Sequence, residues 1–236
     1  MKAMASLRVC LDVNVSEILR DVGPEGLHVA QITESSGTRV DSDKLARLMR
    51  FLANPYIFRH VKPDVFAHTM SSSVLDTRKS LNEIMENPAM KHDGTLGIAV
   101  LVEYLVDDVA KASTVLLHNM TDPKTAFSDS PIHTPFQRVF KHDLPIYNWY
   151  DLPAQAYRRL RFGSAMTGLA AVKDELVLGE FAWDALPKGT VVVGVGGGFG
   201  TSGEIHCGPC TSCASYRTRL ARDGRSGDTG SRLDPR

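Results

Sequence analysis

The sequence contains no apolar run approaching the ~18–20 residues that cross a bilayer, so no membrane-spanning helix is expected. It also lacks charge of one sign, because 27 Lys and Arg balance 27 Asp and Glu. Bulk electrostatic attraction to nucleic acid or an anionic membrane surface is therefore excluded. Cysteine is scarce, with four in 236 residues. The N-terminal stretch shows no apolar segment leading to a small-residue cleavage site, so no signal peptide is read. A disulfide framework is then not expected, and reduced thiols in the cytoplasm are the default. Lysine is missing after Lys188, and internal repeats are missing throughout.

What is present begins with apolar residues at helical spacing. Leu11, Val15, Ile18, Leu19 and Val22 predict one helix ended by Gly23-Pro24. A short helix is expected over Val29 to Ser35. A third, capped by Asp41 or Ser42, carries the stripe Leu45, Leu48, Met49 and Leu52. Tyr56–Val61 and Val65–Ala67 read as strands around the turn Lys62-Pro63-Asp64. Three helices followed by a hairpin is the order of a winged helix. Its third helix carries Lys44, Arg47 and Arg50 but begins with Asp41 and Asp43, which argues against a DNA-reading helix.

Further on, Leu101, Leu105, Val109, Ala112 and Leu116 mark a helix from about Leu96 to Asn119, followed by a surface loop from Thr121 to Thr134. Another helix is expected from Pro153 to Leu178, with Phe162, Met166, Leu169, Val172 and Leu176 on one face. Thr190 to Val195 then suits a strand buried on both faces of a parallel sheet. Gly196, Gly197, Gly198 and Gly200 follow it directly. Glycines let backbone N–H groups approach a ligand and let the chain turn with positive φ. The spacing fits neither the dinucleotide fingerprint nor the P-loop, since no Gly-Lys-Ser/Thr follows. It reads G-x-G-x-G, the first cofactor-loop pattern of class I methyltransferases.

Several segments carry a fuller resemblance. Asp43 to Leu52, Ile57 to Val61 with Pro63 to Ala67, Thr134 to Phe140, Phe162 to Met166, and Val191 to Gly198 occur in the order and spacing of the small-molecule O-methyltransferases related to caffeic acid O-methyltransferase. The chain resembles most closely the fungal members, over residues 1 to about 202.

The resemblance implies a mainly α protein in four parts. Residues 1–75 would be a winged-helix dimerisation module, and 76–185 a helical region on the substrate side. Residues 186–202 would begin a Rossmann-like methyltransferase domain, and 203–236 would form a disordered or out-of-frame tail. It further implies a homodimer through the N-terminal helices and S-adenosylmethionine held at Gly196, Gly197, Gly198 and Gly200. A small hydroxyl-bearing acceptor would lie near Phe162 and Met166, with no nucleic acid, metal or membrane involved.

Two departures stand out. The family's strand carries Asp where this chain has Gly194, which predicts weaker cofactor binding. No segment matching the family's catalytic histidine is present, so none of the eight histidines is assigned as general base. The family likeness ends near Ser202, which leads us to expect a truncated product or a shifted frame. The strand at Thr190–Val195 is then expected to have no sheet to join. His206-Cys207 with Cys210 and Cys213 has metal-ligand residue types but no second cluster to complete a zinc site.

Overall fold

The computed structural model describes residues 2–95, 97–178, 185–187, 191–194 and 214–217. It divides into two compact units, Met1–Gly168 and Leu169–Arg236. The described residues are mainly helical, with a small three-stranded sheet in the first unit.

The first unit opens with α1 (Lys2–Asp12), α2 (Val15–Leu19), β1 (Leu27–His28), α3 (Val29–Ser35) and α4 (Ser42–Ala53). The expected single N-terminal helix is therefore two. The break falls at Asn14, which adopts the left-handed conformation at φ 57°. Lys91 stabilises it from far along the chain, its Nζ donating to the Leu11 carbonyl at 2.7 Å and to Asn14 Oδ1 at 2.8 Å. A partner about eighty residues away cannot be read from local periodicity.

Helix α3 has the expected bounds. In α4, Asp41 is the N-cap and accepts from the Lys44 backbone N–H at 2.9 Å, satisfying one orphan donor of the first turn. Leu45, Met49 and Leu52 are fully buried. At roughly 1.5–3 kcal/mol for each large side chain buried, this stripe outweighs any cap as the reason the helix packs. It meets Val15, Leu19, Ile32, Phe58 and Phe66 in the main core.

The hairpin is β2 (Phe58–Lys62) and β3 (Val65–His68), with a register irregularity between His60 and Lys62. The third strand, β1, pairs antiparallel with β3 and was not expected from sequence, being two residues long. Asp64 turns the hairpin at φ 58°, a conformation Asp tolerates better than most residues. Its carboxylate binds Arg50, tying the hairpin turn to α4.

Next come α5 (Met70–Ser73), α6 (Leu81–Glu86) and α7 (Ile98–Tyr104). The expected long helix to Asn119 is interrupted. A π-helical turn covers Leu105–Val109, then α8 (Ala110–Ser113) and α9 (Leu116–Thr121) follow. The π turn lets residues five apart share a face. Glu103, Asp107 and Asp108 are all buried as a result. Then come α10 (Pro135–Phe140), α11 (Ile146–Tyr150), a 3-10 turn at Pro153–Gln155, and α12 (Ala156–Leu178).

The span of α12 matches expectation, but its buried face does not. Arg161, Ala165 and Gly168 are buried, whereas Phe162 and Met166 are half-buried and Leu169 is exposed. Burial is displaced about 100° around the helix because α7 approaches it at glycine. A Cβ on Gly97 would lie 2.4 Å from Gly168 Cα, and one on Gly168 would lie 2.5 Å from the Gly97 carbonyl carbon. Val172 and Leu176 lie outside the described side chains.

In the second unit, β4 (Val191–Gly194) pairs in parallel with β5 (Ala214–Arg217), with Val191 opposite Ala214 and Gly194 opposite Arg217. One expectation is corrected here: the strand has a neighbour, which lies at Ala214–Arg217. The row Val191-Val192-Val193 offers backbone groups that any extended segment can satisfy. Ala-Ser-Tyr-Arg has too little alternation to announce itself as that segment. Gly196, Gly197, Gly198, Gly200, His206, Cys207, Cys210 and Cys213 lie outside the described residues. No described helix is long and apolar enough to cross a membrane.

Candidate functional site

The two expected acceptor residues sit on α12, one turn apart. Pro153 opens the preceding 3-10 turn at a first-turn position, where its missing N–H costs little. Phe162 is surrounded by three tyrosines from two elements. Tyr150 of α11 stacks on it at 5.2 Å and 24°. Tyr104 at the end of α7 meets it at 5.4 Å and 70°, and Tyr147 of α11 at 6.0 Å and 66°. Behind Tyr150, Phe136 and Trp149 complete a buried aromatic cluster, with Phe140 and Ile146 packed against it. His142 stacks on Trp149 at 4.9 Å and accepts from the Leu144 backbone N–H, and burial lowers its pKa.

Beside this aromatic shelf lies a buried ionic cluster that the sequence reading missed. The Arg161 guanidinium reaches Glu103 Oε1 at 3.1 Å, Asp107 Oδ2 at 2.7 Å and Asp108 Oδ2 at 3.0 Å. Arg8 and Lys111 bind Asp107 at 2.6 and 2.5 Å, and Arg158 binds Asp108. Glu103 also contacts His92 Nε2 at 2.6 Å and accepts from the Tyr157 hydroxyl at 2.9 Å. Asp108 accepts from the Tyr150 hydroxyl at 3.3 Å, which joins the cluster to the shelf. The available signal was a Glu103-x-x-x-Asp107-Asp108 run opposite Arg158-x-x-Arg161, each set within an apolar stripe.

The electrostatics decide what this cluster can do. Burial alone would raise the Glu103 carboxyl, but His92, Arg161 and Tyr157 outweigh it and hold the pKa down to about 2. Asp107 is held well below the usual carboxylate range, since Arg8, Lys111 and Arg161 overcome its burial. Burial and the Glu103 carboxylate push the Tyr157 phenol up to about 12. Tyr150 lies far above the ordinary phenol range through burial and Asp108. Glu103 and Asp107, this acidic, are poor proton acceptors near neutral pH, and phenols this weakly acidic do not ionise there. The cluster is a scaffold rather than acid–base machinery.

Five more histidines in the described residues have other duties. His28 caps α3, His60 stacks on Phe66, His68 bonds Ser72 and the Ser16 carbonyl, and His133 bonds Ser128. His92 is buried against Glu103. Among the described residues no group of three His, Cys, Asp or Glu could hold a metal ion. Among the described residues, a cleft of about 470 Å³ lies at Arg50, Phe51, Tyr56 and His60, and another of about 360 Å³ at Asn119, Gln137, Arg138 and His142; neither includes Phe162 or Met166.

Known proteins resemble this arrangement in sequence and in fold. No family model matches the chain. The 4-O-methyltransferase 1 of Phanerochaete chrysosporium is 41% identical over 198 residues, covering 84% of this chain and 41% of that protein. An O-methyltransferase of Armillaria gallica is 35% identical over the same shares. The chain thus spans about two fifths of the length of these curated relatives. The SAH-bound structure of CalO1, a methyltransferase in calicheamicin biosynthesis, shares the fold with a TM-score of 0.59 at 20% identity, over 90% of this chain and 53% of that one.

Proposed function

This chain belongs to the fungal O-methyltransferase family over the residues it shares with its relatives, and from that premise we propose that its reaction is methyl transfer from S-adenosylmethionine to a hydroxyl of a small aromatic metabolite. The observation that carries the reading is the half-buried Phe162 on α12, set among Tyr104, Tyr147 and Tyr150, with half-buried Met166 one turn on, where the resemblance assigns the acceptor. An oxygen-bearing ring resting on this shelf is held by aromatic stacking, about 0.5–1.5 kcal/mol beyond area burial. Such holding aligns the attacking oxygen, and alignment is the larger part of what a displacement of this kind requires.

The bound donor supplies the electrophilic methyl group. The residues suited to its methionine portion are Gly196, Gly197, Gly198 and Gly200. They follow β4, a strand that runs parallel to its neighbour, as cofactor-loop strands do in open α/β sheets. In the same reading, residues 1–75 are a winged-helix dimerisation module and 76–185 line the acceptor side. Residues 186–202 begin the donor domain, and 203–236 follow it. The protein acts as a cytoplasmic homodimer through its N-terminal helices, without nucleic acid, membrane or metal.

A second reading is a non-catalytic dimerisation protein. It is favoured by the ring contacts of Phe162 among the described residues, which are to tyrosines and include no histidine. Calorimetric titration of the purified chain with S-adenosylmethionine separates the two. Saturable binding near one donor per chain is expected, and no binding up to millimolar donor would leave the dimerisation reading alone.

A further inference from the structure

The three tyrosines around Phe162 are not equivalent. Tyr150 is buried and its hydroxyl is committed to Asp108. The Tyr104 hydroxyl is in hydrogen-bonding range of Tyr150's and is half-buried. Tyr147 is 67% exposed, and its hydroxyl has no hydrogen-bond partner among the described residues. Its ring nonetheless stays within 6.0 Å of Phe162 at 66°. Tyr150 already stacks on Phe162, so an incoming ring must use the part of the half-buried Phe162 that Tyr150 leaves uncovered. A phenol standing steeply beside such a ring presents its hydroxyl to that ring's substituents.

We propose that Tyr147 is a specificity-determining residue of the acceptor site, its hydroxyl donating a hydrogen bond to a second oxygen substituent on an aromatic ring laid against Phe162. The acceptors selected are therefore aromatics with at least two oxygens: the hydroxyl to be methylated, and a carbonyl, ether or hydroxyl oxygen read by Tyr147. This deepens the acceptor-site reading above and rests on it. Tyr104 and Tyr150 are occupied with each other and with Asp108, so they supply ring surface rather than readout.

The test uses the full chain and near-isosteric probes, the 2-, 3- and 4-isomers of hydroxyacetophenone against the same isomers of ethylphenol, titrated by calorimetry. Losing one neutral hydrogen bond changes affinity about 3–10-fold. At least one hydroxyacetophenone is expected to bind about 3–10-fold more tightly than its ethylphenol partner. Tyr147→Phe, which keeps the ring and alters an exposed position, should abolish that preference, read as the ratio of the two affinities in the same variant. Phe162→Ala should weaken both probes together. A preference that survives Tyr147→Phe overturns the assignment and leaves the acceptor site standing. Probes that ignore Phe162→Ala bind elsewhere, which also overturns it. Failure of every phenol to bind the unsubstituted chain overturns the assignment and the acceptor-site reading together.

Discussion

Arg161→Met should be among the most damaging single substitutions in the first unit. The Arg161 side chain is 1% exposed and faces Glu103, Asp107 and Asp108, whose side chains are at most 5% exposed. Methionine fills much of the same volume but carries no charge. Removing one member of a buried ion cluster leaves the others uncompensated, at a cost of about 3–5 kcal/mol. Arg8, Lys111 and Arg158 remain on Asp107 and Asp108, so the largest unrelieved charge is at Glu103, where His92 and Tyr157 alone stay behind. Against a typical domain stability of about 5–15 kcal/mol, this is a large fraction. With a urea m-value of about 2 kcal/mol/M, the midpoint should fall by about 1.5–2.5 M. Urea unfolding followed by far-UV circular dichroism reads the helices of this unit directly. Arg159→Met is the control, since its side chain is 57% exposed and its pair with Asp151 spans 3.7 Å. A surface pair of that kind is worth about 0–1 kcal/mol. If Arg161→Met shifts the midpoint no more than Arg159→Met does, the cluster does not hold this unit together and the scaffold argument fails.

Other consequences follow from the same geometry. The Glu103 carboxyl has a pKa of about 2 in the folded chain against an ordinary 4.5. Its stabilising contribution is therefore full above about pH 4.5 and lost as pH falls through about 2. The gap corresponds to about 3 kcal/mol, and Glu103→Gln should flatten the acid limb of a stability-versus-pH curve over that window. Gly168→Ala places a Cβ 2.5 Å from Gly97 backbone; forcing the helices apart should cost about 1–3 kcal/mol, seen as a lower melting temperature. Lys91→Met removes both contacts that hold the α1–α2 break. It should destabilise by about 1–3 kcal/mol through the buried Asn14 Oδ1 left unpaired, with faster amide exchange in α2. Gly194→Asp restores the family's carboxylate at the end of β4 and should tighten donor binding by calorimetry; unchanged affinity would remove the reason given for the departure.

Much of the N-terminal architecture was legible because its signals are local. Leu45, Met49 and Leu52 recur at helical spacing, Asp41 caps, and the segment around Pro63-Asp64 turns, so α4 and the hairpin follow from the residues themselves. What escaped was set by partners distant in sequence. Lys91 splits the first helix, and Gly97 against Gly168 decides which face of α12 is buried. The π turn at Leu105–Val109 brings three carboxylates to Arg161, and periodicity counts that stretch as an ordinary amphipathic helix. Phe162 and Met166 were assigned through resemblance, and the apolar stripe assigned to them is not the buried one: both are half-buried, whereas Arg161, Ala165 and Gly168 are buried.

The ionic cluster and the aromatic shelf are one construction. Asp108 receives the Tyr150 hydroxyl, Tyr150 stacks on Phe162, and Arg161 precedes Phe162 on the same helix. An aromatic surface held only by apolar packing slides, because dispersion contacts have little directional preference. A phenol anchored to a buried carboxylate, itself fixed by two guanidinium groups, has a defined ring plane. The cost of burying those charges is offset by their mutual pairing, and what remains is orientation. The same pairing keeps Glu103 and Asp107 ionised and poorly basic. Their part among the described residues is to hold Arg161, which with Asp108 fixes the Tyr150 ring.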